Sequence, residues 1–130
     1  MNPEEIKYHK EHTWVKVSGN KATVGITDYA QESLGDIVYI EAPELDAATE
    51  AGNELTQIES TKATSSVISP VSGTVVEVNE DLDDSPEIIN EDPYGKGWIA
   101  VLEIENDSEL GDLMDASDYD KYLEEEVKLK

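Results

Sequence analysis

A weak internal repeat is the feature of this sequence that most restricts its fold. Residues 35–41 resemble residues 73–79, and residues 52–59 resemble residues 97–104 in the same way. Each half has the pattern of a strand, a polar loop and a strand, which is too little to bury its own apolar side chains. Two such halves can bury them together by stacking as small sheets. The repeat therefore predicts a quasi-symmetric β-sandwich, whose halves join near residues 60–65.

The segments before and after the repeat predict further elements. Residues 14–26 contain two short β runs separated by Ser18-Gly19-Asn20, a typical hairpin sequence. Residues 27–35 begin with a capping side chain and end at a glycine, as a short helix requires. Near the C-terminus the apolar residues recur at helical spacing. We expect a mainly β fold with a sandwich core at about 14–105, a short N-terminal helix and C-terminal helices at about 107–127.

The composition limits the number of domains and excludes several kinds of site. A chain of 130 residues fits one compact domain, so residues 1–130 are expected to share one core. Cysteine is absent, which excludes disulfides, thiolate metal sites and a cysteine nucleophile. The two histidines, His9 and His12, have one carboxylate between them, which makes a poor metal site. We expect both histidines to be structural.

The charge of the chain is strongly negative. Aspartate and glutamate number 31 against nine basic residues, all of them lysine, for a formal net charge of −22. Such a surface repels phosphate backbones and anionic lipids and lacks the arginines that bind phosphate, so we expect no nucleic acid and no membrane as partners. The acids serve either to steer the chain toward basic partners or to keep it solvated in a salty cytoplasm. Their even spread along the chain favours the second, halophile-like explanation.

The N-terminal residues predict where the protein resides. The sequence begins Met-Asn-Pro-Glu-Glu, the opposite of a signal-peptide start. No stretch approaches the roughly 18 apolar residues of a membrane span. The sequence therefore predicts a cytoplasmic location.

Lys62 is an isolated cation in the middle of the chain. The nearest other basic residues are Lys21 and Lys96, and the 74 residues between them contain 17 acids besides Lys62. From its spacing alone, this lysine could simply form a surface pair with Glu59, which contributes at most about 1 kcal/mol. The β-type runs on either side flank a polar segment, residues 59–66, without proline or glycine. This pattern predicts a hairpin whose tip exposes the lysine amine, an arrangement well suited to covalent attachment.

The residues around Lys62 resemble the lipoylation motif of the glycine cleavage H-protein family. The motif is Glu59-Ser60-Thr61-Lys62-Ala63, followed by Ser-Pro-Val-Ser-Gly at 69–73 and Val-Glu-Val-Asn at 76–79. Further blocks resembling the family occur in order at 11–15, 24–31, 34–38, 89–90 and 92–98. Together they cover about residues 8–126. Biotin carriers usually place methionine on both sides of the lysine, and lipoyl domains of 2-oxoacid dehydrogenases usually place aspartate before it, so both are less similar.

The resemblance implies a lipoyl/biotinyl-type hybrid barrel-sandwich that is a carrier and not an enzyme. Lys62 would carry lipoic acid in amide linkage, attached by a lipoate ligase or lipoyl transferase. The recognition residues around the hairpin would be Glu59, Ser60, Thr61, Ala63 and Gly73. The carrier would take the aminomethyl group of glycine from a pyridoxal-phosphate glycine decarboxylase to a tetrahydrofolate-dependent aminomethyltransferase. It would then take the dithiol to dihydrolipoyl dehydrogenase.

Three positions depart from the family pattern. Thr13 replaces a frequent glutamate, Ser33 a frequent histidine and Ser66 a frequent acid. Other family members often hold the loaded arm at these positions, so no arm-holding role is assigned to them here. Two alternatives stay open at the level of sequence. One is a lipoyl carrier for another sulfur or one-carbon pathway, and the other is an unmodified acidic interaction module.

Overall fold

The computed structural model describes residues 6–104 and 107–128. Within these residues the chain forms nine strands, four α-helices and one 3-10 helix. The strands are β1 Lys7–Tyr8, β2 Thr13–Ser18, β3 Lys21–Ile26, β4 Ile37–Ile40, β5 Ala48–Thr49, β6 Glu54–Ser60, β7 Thr64–Ile68, β8 Gly73–Val78 and β9 Ala100–Ile104. The helices are α1 Asp28–Leu34, α2 Asp81–Asp84, α3 Ile88–Glu91 and α4 Ala116–Lys128, with the 3-10 helix at Asp107–Asp112.

The strands form two sheets, as the internal repeat predicts. One sheet has six strands in the order β1-β2-β3-β9-β8-β5, and the other has three in the order β4-β6-β7. In the first half β4 pairs antiparallel with β6, and in the second half β8 pairs antiparallel with β9. The two halves are also joined by strand pairing, because β5 of the first half pairs with β8 of the second. The predicted mainly β sandwich is therefore confirmed, with halves that are interleaved.

Local signals explain where the hairpin and the first helix lie. The turn between β2 and β3 contains Gly19, whose φ of +64° favours glycine. The hydroxyl of Thr27 caps α1 by accepting a hydrogen bond from the amide of Ala30 at 3.2 Å. The helix ends at Gly35, with φ +81°, whose amide donates to the carbonyl of Gln31 at 3.0 Å. Both predicted elements are present where the sequence places them.

Two clusters of buried apolar side chains hold the elements together. The larger lies between the sheets and consists of Val15, Ala22, Val24, Ile26, Ile37, Ile40, Ile58, Val67, Val71, Val75, Leu82, Ile89, Ile99, Ala100, Leu102 and Ile104. The smaller attaches α4 to the six-stranded sheet and consists of Ile6, Tyr8, Trp14, Ala116 and Tyr119. The rings of Tyr8 and Tyr119 stack with centroids 4.7 Å apart. Helical structure near the C-terminus is thus confirmed. No helix in the described ranges is long and apolar enough to span a bilayer.

Candidate functional site

The hairpin of β6 and β7 presents Lys62 at its tip. The last cross-strand pair is Glu59 with Thr64, so the tip consists of Thr61, Lys62 and Ala63 beyond Ser60. All three tip residues are exposed. The amide of Ser60 donates to the carbonyl of Ala63 at 2.8 Å, which closes the turn. The tip predicted from the sequence is therefore where the structure places it.

The side chain of Ser60 organises the backbone of the tip. Its hydroxyl oxygen lies 3.2 Å from the amide of Lys62 and 3.1 Å from the amide of Ala63 and accepts from both. The same hydroxyl lies 3.1 Å from the carbonyl of Ala63, to which it can donate. A short side chain that bonds to nearby backbone is a common way to hold a tight turn. Ser60 thereby fixes the base of the Lys62 side chain.

The tip rests on the segment that follows α1. The amide of Thr61 donates to the carbonyl of Asp36 at 3.0 Å. A Cβ atom placed on Gly35 would lie 3.3 Å from Cε of Lys62, so the lysine stem runs close over this glycine. Asn90 of α3 holds the segment from the other side: its side-chain amide donates to the carbonyl of Gly35 at 2.9 Å, and its Oδ1 accepts from the amide of Ile37 at 2.8 Å. Neither Gly35 nor Asn90 was predicted from the sequence to belong to the site.

A cleft of about 130 Å³ lies beside the hairpin, between α1 and β7. The three positions that depart from the family pattern, Thr13, Ser33 and Ser66, all line it. The other lining residues are Glu11, His12, Ile26, Tyr29, Ala30, Leu34, Ile58, Ser65 and Val67. Thr13 is 1% exposed, and its hydroxyl has no hydrogen-bond partner within the described part of the chain. The folded chain thus gathers these three hydroxyl side chains around one cavity.

The Ser66 hydroxyl also contacts a carboxylate outside the cleft. It donates to Oε1 of Glu54 at 2.5 Å, and the side-chain amide of Gln57 donates to the same oxygen at 3.1 Å. These hydrogen bonds, the one from Ser66 first, lower the pKa of the exposed Glu54 carboxyl. Ser66 therefore connects the wall of the cleft to the surface of the three-stranded sheet.

The two histidines lie near each other but in different environments. Burial lowers the pKa of His9, whose Nδ1 accepts from the amide of Glu11 at 3.1 Å. His12 has a φ of +69° and is half-buried, with its Nδ1 2.7 Å from the hydroxyl of Tyr119. The Tyr119 hydroxyl is also 2.8 Å from Oγ1 of Thr27, the cap of α1. Among the described residues, no three His, Cys, Asp or Glu side chains are grouped as metal ligands.

Gly73, the remaining residue of the predicted recognition set, lies in the other sheet. It is the first residue of β8 and pairs with Ile104 of β9 and Thr49 of β5. A Cβ atom placed there would lie 2.5 Å from the carbonyl oxygen of Glu103. The structure thus brings Glu59, Ser60, Thr61 and Ala63 together around Lys62, while Gly73 packs between strands of the six-stranded sheet.

Comparison with known proteins identifies the family. Residues 6–126 match the family model described as Glycine cleavage H-protein. The chain belongs to this family. A glycine cleavage system H protein of Carboxydothermus hydrogenoformans is 53% identical over 124 residues, covering 95% of both chains. Glycine cleavage system H protein 4 of Aquifex aeolicus is 57% identical over 121 residues, covering 93% of this chain and 71% of its own.

A solved structure of the family has the same fold. The crystal structure of a glycine cleavage system H protein from Mycobacterium marinum superposes with a TM-score of 0.83 at 36% sequence identity. The match covers 91% of this chain and 95% of that one. This agreement confirms the fold class expected from the sequence.

Family membership confirms the general function that the resemblance implies. The glycine cleavage H-protein family is the lipoyl carrier of the glycine cleavage system and is not a catalyst. Its members carry lipoic acid on a lysine. They interact with glycine decarboxylase, aminomethyltransferase and dihydrolipoyl dehydrogenase.

Proposed function

We propose that this chain serves glycine cleavage as a lipoyl carrier with the attachment point at Lys62. The observation that supports this most strongly is the exposed position of Lys62 at the tip of the β6–β7 hairpin. The amine is reachable by a large enzyme, while two paired strands and the Ser60 hydroxyl hold the backbone beneath it. When attached, the lipoyl group supplies a redox-active disulfide to a chain that has no cysteine.

The proposed recognition residues have separable tasks in this geometry. Ser60 shapes the turn through its hydrogen bonds, and Thr61 joins the tip to the carbonyl of Asp36. Glu59 at the end of β6 and Ala63 in the tip are both exposed. A lipoate ligase or lipoyl transferase would recognise the shape of this hairpin tip. A lysine in an unstructured segment would not have a fixed backbone for the enzyme to recognise. Each enzyme that visits the carrier must then leave it, so each interface is expected to be modest in area.

The test is to map the modification and to remove its acceptor. Protein isolated from its own host, or treated with a lipoate ligase, ATP and lipoic acid, should gain the mass of one lipoyl group, located by peptide mapping on Lys62. Lys62→Arg should abolish the gain while changing the free energy of unfolding by less than about 0.5 kcal/mol, since the side chain is exposed. Lys16→Arg, at an exposed lysine of β2, is the matched control and should be modified normally. An adduct on another lysine, or none, would refute the assignment.

We also propose a cytoplasmic location for the carrier. Small secreted domains are commonly held by disulfides, and this chain has no cysteine. Fractionation of host cells should recover the protein with cytoplasmic enzymes. Recovery from the medium or the cell envelope would contradict this location.

A further inference from the structure

We propose that Gly35 is a positioning residue for Lys62. Its backbone supports the lysine stem and so sets the direction in which the amine projects from the hairpin. This inference rests on the proposed attachment at Lys62. It concerns a residue in a different element from the hairpin, at the end of α1. Its basis is the contact between the two residues and the way in which Gly35 is held.

The lysine stem follows the backbone of Gly35 over several carbon atoms. A Cβ atom built on Gly35 would lie 3.3 Å from Cε, 3.5 Å from Cδ and 3.7 Å from Cγ of Lys62. Three successive methylene groups therefore pass over the position that a side chain would occupy. A Cβ atom 3.3 Å from Cε would be closer than an ordinary van der Waals contact, so a side chain at position 35 would require the lysine stem to shift by a few tenths of an ångström.

Gly35 itself is held on three sides. Its amide donates to the carbonyl of Gln31 at 3.0 Å, and its carbonyl accepts from the Asn90 side chain at 2.9 Å. The next carbonyl along the chain, that of Asp36, accepts from the amide of Thr61 at 3.0 Å. Helix α1, helix α3 and the hairpin tip thus meet at this glycine. The surface under the Lys62 stem is consequently fixed relative to the hairpin.

The surface under the Lys62 stem matters because lipoylation requires the lysine amine to approach the activated lipoyl group from one direction. In the ligase reaction Nζ of Lys62 attacks the carboxyl carbon of an acyl-adenylate. An amide bond forms, the bond to AMP breaks and AMP leaves with its electron pair. The nitrogen loses two protons, one before the attack and one after it. A lysine has many side-chain rotamers, and a reaction of this kind depends strongly on the alignment of the reacting atoms.

The chain contains a matched control for Gly35. Gly52, like Gly35, has a positive φ (+88° against +81°), so alanine is strained at both positions. A Cβ atom built on Gly52 meets nothing within 4 Å. The two substitutions Gly35→Ala and Gly52→Ala therefore differ in whether the new methyl group contacts Lys62.

The experiment measures modification of the full-length unmodified protein by a lipoate ligase with ATP and lipoic acid. At a temperature where all variants are folded, kcat for Gly35→Ala should fall about tenfold, with KM changed much less, because the amine is misaligned and not hidden. Gly52→Ala should stay within about twofold of wild type. Acetylation of Lys62 by a small N-hydroxysuccinimide ester should proceed equally in all three proteins, because a small reagent accepts any rotamer.

Two results would overturn the inference. One is equal ligase kinetics for Gly35→Ala and Gly52→Ala. The other needs no variant: wild-type protein should show a nuclear Overhauser effect between the Lys62 ε-methylene and the Gly35 α-protons, and its absence would refute the contact. A wild-type chain that takes no lipoyl group on Lys62 would instead refute the proposed function, so the two failures are distinguishable.

Discussion

Gly35 and Gly73 begin the two repeats, and each meets different neighbours in the folded chain. Gly35 has a positive φ and lies under the stem of Lys62. Gly73 lies within β8, where a Cβ atom would lie 2.5 Å from the carbonyl oxygen and 3.1 Å from the carbonyl carbon of Glu103. Close approach of two backbones therefore requires glycine at position 73. Equivalent positions in the repeat serve different physical purposes.

Replacing Gly73 should disturb the six-stranded sheet. Gly73→Ala is expected to lower the free energy of unfolding by about 2 kcal/mol, because the β9 backbone must move to admit a methyl group. Gly19→Ala is the control, since Gly19 has a φ of +64° and open space around it, and it should cost about 1 kcal/mol. Urea unfolding of both variants measures the difference. A smaller loss at position 73 than at position 19 would contradict the close approach.

The same variant addresses the predicted role of Gly73 in recognition. Because Gly73 lies outside the hairpin sheet, lipoylation of folded Gly73→Ala should fall less than lipoylation of Gly35→Ala. A larger fall for Gly73→Ala would mean that the second repeat presents the lysine more directly than the contacts of Gly73 indicate.

Among the elements, α4 is joined to the sheets by aromatic side chains. The ring of Tyr119 stacks on Tyr8 of β1, and its hydroxyl lies within hydrogen-bond distance of His12 and Thr27. Tyr94 packs edge-on against Tyr8 and accepts a hydrogen bond from the amide of Asp28 at 3.0 Å. Strand, helix cap and C-terminal helix thus share one aromatic cluster, whose phenol groups are buried or half-buried.

This cluster should make the protein sensitive to alkali. Burial raises the pKa of Tyr94 from 10.0 to about 12, although the hydrogen bond from Asp28 opposes the shift, and burial also raises the pKa of Tyr8. The folded chain then keeps protons that the unfolded chain loses. The Tyr94 phenol therefore contributes stability fully below pH 10, and that contribution declines as pH rises from 10 to 12. The midpoints of urea unfolding at about pH 9, 10 and 11 measure this decline in stability.

Tyr94→Phe separates this effect from the general effect of alkali. The variant should lose stability less steeply between these pH values than wild type does. Tyr39→Phe, at an exposed tyrosine of β4, should keep the wild-type slope. Identical slopes for wild type and Tyr94→Phe would show that the buried phenol is not responsible.

Elements with local signals could be predicted from the sequence. The Gly19 turn, the Thr27 cap and the polar segment around Lys62 each determine their structure within a few neighbouring residues. The pairing of β3 with β9 joins residues about eighty positions apart in the chain, and no local pattern encodes it. The short helices α2 and α3 were not predicted either. Each has four residues, fewer than a periodic pattern needs to be detected.

The candidate site divides in the same way. Lys62 could be proposed from the sequence because its isolation among acidic residues and the family motif around it can both be seen along the chain. The contact of Lys62 with Gly35 and the bonds from Asn90 to Gly35 and Ile37 join three separate segments. Only the folded chain brings these segments together. The departures at Thr13, Ser33 and Ser66 were grouped by resemblance, and the structure places them around one cleft.

For the whole molecule, the net charge of −22 is the property with the widest consequences. The carboxylates repel one another in the compact state, and dissolved salt screens that repulsion. We therefore expect the melting temperature to rise by about 5 °C between about 0.1 M and about 2 M KCl. This rise corresponds to roughly 1 kcal/mol in the free energy of unfolding. Calorimetry at both concentrations measures this change.

Sucrose is the control for the salt experiment. It strengthens apolar burial without screening charge, so at matched osmolality it should raise the melting temperature less than KCl does. Equal melting temperatures at low and high KCl would contradict the halophile-like explanation of the acidic surface. The acidic surface would then be explained by electrostatic steering of the carrier toward basic partners.

The central position of β9 has a consequence for biosynthesis. This strand lies between β3 and β8 in the six-stranded sheet, yet it is the last strand along the described chain. Until β9 has been synthesised, β3 and β8 lack the strand that joins them in that sheet. The six-stranded sheet therefore cannot be completed in the order in which its strands are synthesised. We expect modifying enzymes to encounter the finished carrier only after β9 has emerged from the ribosome, with chaperones binding the exposed strands until then.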